Sequence, residues 1–244
     1  MTGLQAVAVR SDHSIVAGGM RRGKAWLVAI DEHGKQRWDH EVAGVDEVTA
    51  AMRAGDAIVV AGVAGRTTTS AGTSRLIALD AAGAARWTAE LPERGAGELY
   101  ALAPLGDGGV AVGQAPRPAG GAGGDGAWIV RFAADGTVRS SEVLAGSGGD
   151  AARAVTAIGD GGFVVAGSSF EAPRGRRAVV WRFDASGRLV WRETYGATDS
   201  FARGVAATPD GGAVVVGATQ APGARLRAWI AGLDRLGAQR WTAP

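Results

Sequence analysis

Cysteine is absent from the 244 residues, tyrosine occurs twice, histidine three times, and all but two of the 26 basic residues are arginine. Without cysteine there are no disulfides, no thiol nucleophile and no thiolate metal ligands. The scarcity of lysine leaves no lysine-rich block and no concentrated basic helix, and the formal net charge is only +2, so nucleic acid is disfavoured as a partner. Long hydrophobic runs are also missing. The valine-rich stretches Ala57 to Ala61 and Ala213 to Val216 are far shorter than a membrane-spanning helix. The start, Met1-Thr2-Gly3-Leu4-Gln5, lacks the basic residues and continuous apolar segment of a secretory signal.

Glycine, in contrast, is abundant at 40 residues, and almost half of the chain is apolar, a balance that suits short strands joined by tight turns. Its order is repetitive. An apolar strand ends near Asp, a Gly follows three places on, and a Trp comes four places later, at Asp31-Gly34-Trp38, Asp80-Gly83-Trp87, Asp184-Gly187-Trp191 and Asp234-Gly237-Trp241. A degenerate copy stands at Ala133-Gly136-Ser140. The last positions, 38, 87, 140, 191 and 241, are spaced by 49, 53, 51 and 50 residues, a period that marks stacked repeats.

A second phrase recurs as Asp107-Gly108-Gly109, Asp160-Gly161-Gly162 and Asp210-Gly211-Gly212, each followed by an apolar run closing on Gly113, Gly167 or Gly217. An acidic side chain that accepts local backbone N–H groups beside a glycine free to take positive φ is turn chemistry between antiparallel strands. Ser11-Asp12-His13 and Ala54-Gly55-Asp56 fill the matching turns. The fifth copy divides into strands at Arg203 to Thr208, Ala213 to Val216, Ala228 to Leu233 and Ala238 to Trp241, with no sustained helical period. The expected fold is therefore all-β: a five-bladed β-propeller of about four antiparallel strands per blade, one domain over 1–244, with repeats near 1–40, 41–89, 90–142, 143–193 and 194–244.

The fourth-strand Trp residues are expected to pack between blades. A second series, Trp26, Trp128 and Trp229, with Arg75 and Val179 at the matching places and Trp181 two residues beyond one of them, is read as packing with a ligand-stacking ring as the alternative. Blade three, with Ala133, Ser140 and the Gly/Pro-rich loop Gln114 to Gly126, is the expected weak point and a candidate specialised face.

The run Trp191-Arg192-Glu193-Thr194-Tyr195-Gly196, then Asp199, Asp210-Gly211-Gly212, Gly217, Trp229 and Asp234-Gly237-Trp241, resembles a bacterial propeller-like repeat family with Trp, Tyr-Gly, Asp-Gly-Gly and Asp-x-x-Gly signatures. The resemblance covers essentially the whole chain. It implies a propeller, raises the expectation of an exported or cell-surface protein without fixing the compartment, and supplies no catalysis. A weaker similarity to quinoprotein-like propellers fails at the cofactor: Asp80 to Trp87 is one residue short before Gly and lacks Thr, and no paired cysteines or acid cluster follow. No cofactor is expected.

The chemistry-bearing residues do not converge in sequence. His13, His33 and His40 lie in turns or beside a Trp strand, and no serine sits in a nucleophile elbow. Glu47, Glu98 and Asp150 precede their first strands, with Asp199 nearby in the fifth copy, so they are candidates for an acid rim, a cation site or structural caps. No catalytic or metal residue is assigned. Recognition is placed on the loops between second and third strands, at Arg66, Arg174, Arg176, Arg177, Arg225 and Arg227, whose guanidinium forks suit carboxylates. The expected role is a non-enzymatic scaffold binding a protein or an extracellular assembly partner. A lectin binding glycan stands second, and a carboxylate-based glycoside hydrolase or lyase third. Ring closure is expected either directly, blade to blade, or through another protomer.

Overall fold

A computed structural model describes residues 2–66, 72–91, 97–117, 124–144, 148–171, 173 and 175–243. The described residues form twenty strands in five antiparallel four-stranded sheets. The first sheet is β1 (Thr2–Val9), β2 (Ile15–Arg21), β3 (Lys24–Ile30) and β4 (Gln36–Glu41), and the second is β5 (Glu47–Ala54), β6 (Ala57–Ala64), β7 (Thr73–Leu79) and β8 (Ala85–Glu90). The third is β9 (Glu98–Leu105), β10 (Gly108–Pro116), β11 (Asp125–Phe132) and β12 (Val138–Leu144). The fourth is β13 (Ala151–Ala157), β14 (Phe163–Glu171), β15 (Gly175–Phe183) and β16 (Leu189–Tyr195), and the fifth is β17 (Phe201–Ala207), β18 (Ala213–Thr219), β19 (Arg227–Leu233) and β20 (Gln239–Ala243). Strands neighbour one another in sequence order within every sheet, the up-and-down arrangement that short loops permit. Among the described residues no helix is long and apolar enough to cross a membrane.

The chain gathers into two compact units: Met1–Ala111 with Val130–Ser141, and Val112–Ile129 with Glu142–Pro244. In the first unit, Ala6, Ala8, Val16, Leu27 and Ala29 of the first sheet pack with Val48, Ile58, Val60, Ile77 and Leu79 of the second. In the second unit, Val164, Ala166, Ala178, Val180 and Tyr195 of the fourth sheet pack with Ala202, Val215, Trp229, Ala231 and Leu233 of the fifth. Each fully buried Leu or Val in such a layer contributes roughly 1.5–3 kcal/mol. Strand position decides composition: β6, Ala57–Ala64, is buried on both faces and reads as one apolar run, while β8, Ala85–Glu90, leaves four of its six residues exposed and carries Arg and Glu.

The Asp-x-x-Gly phrase closes every third hairpin. The Oδ1 atoms of Asp31, Asp80, Asp184 and Asp234 each accept two backbone N–H groups, at 2.8–3.0 Å, from the residues two and four places on. The glycine three places on sits at φ between +82° and +89°, which glycine adopts without steric cost. The degenerate copy keeps the shape: Ala133 N–H donates to Thr137 at 2.9 Å, Gly136 has φ +87°, and Asp135 accepts the Thr137 N–H instead.

The Asp-Gly-Gly phrase behaves in two ways. At Asp160 and Asp210 the carboxylate accepts the N–H of Gly162 and Gly212, and Gly161 and Gly211 take positive φ, as expected from sequence. The Asp107 copy differs, because β9 runs to Leu105 and leaves a two-residue turn in which Gly106 carries the positive φ and Gly108 already belongs to β10. Gly55-Asp56, between paired Ala54 and Ala57, is the same short turn. In the first sheet His13 occupies the place of Gly161 and Gly211, at φ +59°.

Candidate binding cleft

The recurring Trp is a latch between successive repeats. Trp38 Nε1 donates to the Ala81 carbonyl at 3.1 Å, Trp87 to Ala134 at 2.8 Å, and Trp191 to Arg235 at 3.1 Å, each the residue after the Asp position in the next repeat's turn. His40 stacks on Trp38 with ring centres 4.6 Å apart, and its Nε2 lies 3.2 Å from the Gly83 carbonyl; Tyr195 donates its hydroxyl to Gly237 at 2.7 Å. Burial pushes the Tyr195 phenol up from its ordinary value. Trp38, His40, Trp87 and Trp191 are only part-buried, and Trp241 is 47% exposed, so these rings sit at sheet edges rather than in the deep core, while Tyr195 is buried. Of the second Trp series, Trp128, Trp181 and Trp229 are buried, which makes them packing residues. Trp26 is part-exposed, with Arg21 over its ring and its Nε1 on Asp39 at 3.2 Å.

A recurring set of charges is spent on structure. The arginine immediately before the Trp position pairs with the turn aspartate of its own sheet: Arg37 with Asp12 at 2.7 Å, Arg86 with Asp56 at 2.9 Å, Arg139 with Asp107 at 2.7 Å, and Arg240 with Asp210. The fourth sheet has Val190 there and uses Arg182, which reaches Asp160 at 2.5 Å and the Gly211 carbonyl at 2.8 Å. Hydrogen bonds, from Thr208 and then Arg240, pull the Asp210 carboxyl down to about 2. Ser14 and then Arg37 hold Asp12 well below the carboxylate range, and Arg86 and Arg139 lower Asp56 and Asp107.

The acid rim resolves differently from its simplest expectation. Glu47 and Glu98 are held by one guanidinium, with Arg66 reaching Glu47 at 2.9 Å and Glu98 at 2.5 Å, and Gln5 also donates to Glu47. Asp150 is buried, and Asp199 sits in a turn at φ +58°. Among the described residues no group of three or more His, Cys, Asp or Glu is placed to hold a metal ion. His13, His33 and His40 have separate roles: a turn, an exposed position and a latch.

Of the arginines expected to meet a partner, Arg66 is therefore committed to two carboxylates, and Arg177 donates to the Gly196 carbonyl at 2.9 Å. Arg225 and Arg227 are exposed, while Arg174 lies outside the described residues, as do 67–71 and 118–123 of the loops named with it. Arg176 opens into a cleft of about 360 Å³ in the second unit, lined also by Arg153, Arg203, Gln114, Ser168, Phe170 and Phe201.

Sequence reading missed Arg153 and Arg203, and the backbone shows why they matter. The first strand of a sheet skips one residue in its pairing with the second: Gln5 in β1, Thr49 in β5, Arg153 in β13 and Arg203 in β17. A bulge of this kind bends the strand and re-aims the extra side chain. It also brings the first-strand carbonyl over the second strand, where a Cβ on Gly167 or Gly217 would collide with the carbonyl of Ala151 or Phe201. Gly167 and Gly217, which close their apolar runs, are thus the partners of the bulges, a signal present in the sequence. The first unit fills the position with Gln5 and Thr49; the second presents two guanidinium groups.

Arg176 and Arg203 meet no carboxylate in the cleft wall. None of its lining residues is acidic. A cavity of about 370 Å³ in the first unit includes the Arg86–Asp56 pair, and a third, beside Trp26, includes the Arg21–Asp39 pair. The Arg203 guanidinium lies 5.0 Å from the centre of the Phe201 ring, and Phe170 is 48% exposed, so apolar surface flanks the charge.

No protein-family model matches the chain, and no curated protein matches it. Solved structures do. The WD40 domain of Neurospora crassa Pan2 is similar with a TM-score of 0.66 at 10% identity, over 99% of this chain and 65% of that one. The Dos1 propeller is similar with a TM-score of 0.61 at 12% identity, over 98% and 71%. A chain of the mitotic checkpoint complex is similar with a TM-score of 0.64 at 11% identity, over 98% and 63%. The fold is a β-propeller fold. Its five sheets are the blades, and at these identities the likeness speaks of fold alone.

Proposed function

We propose that this chain is a non-enzymatic five-bladed propeller scaffold, one domain of five repeats, that holds a protein partner at the arginine cleft of its fourth and fifth blades. The observation that carries the reading is the cleft itself: Arg176 and Arg203 line one cavity, with no acidic residue in its wall and, among the described residues, no carboxylate within ion-pair distance, in a molecule where arginine–aspartate pairs recur. A carboxylate-based hydrolase is disfavoured because two of its candidate acids, Glu47 and Glu98, are both engaged by Arg66. The mitotic checkpoint complex is an assembly that includes a propeller-like chain, which is the role proposed here for this one.

Affinity purification with the intact chain beside the double charge reversal Arg176→Glu, Arg203→Glu tests the reading. A protein recovered by the first and lost by the second supports it. Equal recovery by both overturns the assignment to this cleft, and a reproducible glycan-array signal that survives the double variant replaces it with a lectin.

A further inference from the structure

The proposed protein-binding role leaves open what chemistry the cleft recognises, and the inference that follows rests on that role. From the guanidinium groups of Arg176 and Arg203 and the two phenyl rings lining one cleft, we propose that it binds an acidic peptide segment, neighbouring Asp or Glu side chains clamped by Arg176 and Arg203.

The blade places each arginine independently. Arg153 and Arg203 come from equivalent bulges in β13 and β17, and Arg176 comes from β15, where it pairs across the hairpin with Phe170. Separate elements, β15 and β17, therefore deliver the like charges of Arg176 and Arg203 to one cavity, and like charges brought together oppose folding unless an anion joins them. Among the described residues, neither Arg176 nor Arg203 lies within ion-pair distance of a carboxylate. Planar guanidinium forks donate paired N–H groups to the two oxygens of a carboxylate with matched geometry. Gln114 and Ser168 add polar groups to the wall, and exposed Phe170 offers an apolar face beside the charge, suited to the aliphatic stems of glutamates. A cavity of about 360 Å³ has room for side chains rather than for a folded surface, so an extended acidic stretch is the fitting form.

The test is titration of the whole chain with a fluorescein-labelled, C-terminally amidated peptide of six glutamates, with a lysine hexamer as control. Saturable binding that weakens with salt is expected, with roughly tenfold loss for each of Arg176→Gln and Arg203→Gln. Thermal midpoints of the two variants should equal or exceed that of the parent, because the substitutions relieve repulsion; a drop in midpoint comparable to loss of a core contact would assign the arginines to structure and overturn the proposal. Binding that is unchanged in both variants also overturns it, as does preference for a heparin hexasaccharide or an oligonucleotide over the peptide. If the double charge reversal abolishes recovery of a protein partner while the glutamate peptide fails to bind, the protein-binding role stands and the acidic ligand is wrong.

Discussion

His13 is held at φ +59° in a turn whose counterparts in the fourth and fifth blades are Gly161 and Gly211. A side chain in the left-handed region is opposed by contact between Cβ and the backbone, a cost that glycine escapes at the expense of greater unfolded-chain entropy. His13→Gly is therefore expected to stabilise the chain by at most about 1 kcal/mol, read as a higher urea midpoint with unchanged slope. The aspartates give a second residue-level expectation. Asp210 is lowered from 3.8 to about 2, and Asp31, Asp56, Asp107, Asp135 and Asp184 are lowered as well. A carboxyl depressed in the folded state lends stability above its unfolded pKa, and this is lost as pH falls through the folded value. The thermal midpoint should accordingly fall between about pH 4 and about pH 2, and Asp210→Asn should flatten part of that fall.

Strands and turns carry the next scale. Trp191 bridges from β16 to the turn before β20, donating to Arg235 at 3.1 Å while its ring covers Gly237. Trp191→Phe keeps much of the ring contact and loses the hydrogen bond, an expected cost of about 1 kcal/mol by denaturant unfolding. Trp191→Ala should cost more, yet less than the roughly 3–5 kcal/mol of a fully buried aromatic, because the ring is only part-buried. Gly217→Ala tests the bulge: the new methyl meets the Phe201 carbonyl, so a loss of about 1–3 kcal/mol is expected together with weakened binding at Arg203. The sequence made the Asp-x-x-Gly hairpins legible because their chemistry is local, a carboxylate reaching N–H groups two and four residues away. The Asp107 turn was harder to place, since a one-residue extension of β9 moves the positive φ from Gly108 to Gly106 without changing any residue type.

Across the whole molecule, the small net charge conceals an ordered division of arginines. Arg37, Arg86, Arg139 and Arg240 are balanced within their own blades, and Arg66 ties two glutamates together. Such exposed pairs each add little to stability, whereas Arg176 and Arg203 line the second unit's cleft with no acidic residue in its wall. Partner binding at that cleft is expected to weaken steeply between low and physiological salt, as measured by the concentration needed for half-saturation. Five repeats, their strands and their hairpins follow from the sequence alone, because alternation, turn chemistry and period are properties of neighbours along the chain. Tertiary structure decided which arginines meet carboxylates. Arg66 and Arg176 look alike in sequence, both loop arginines between second and third strands; one meets Glu47 and Glu98, and the other lines a cleft with Arg153 and Arg203, which stand at bulges that exist only once strands pair.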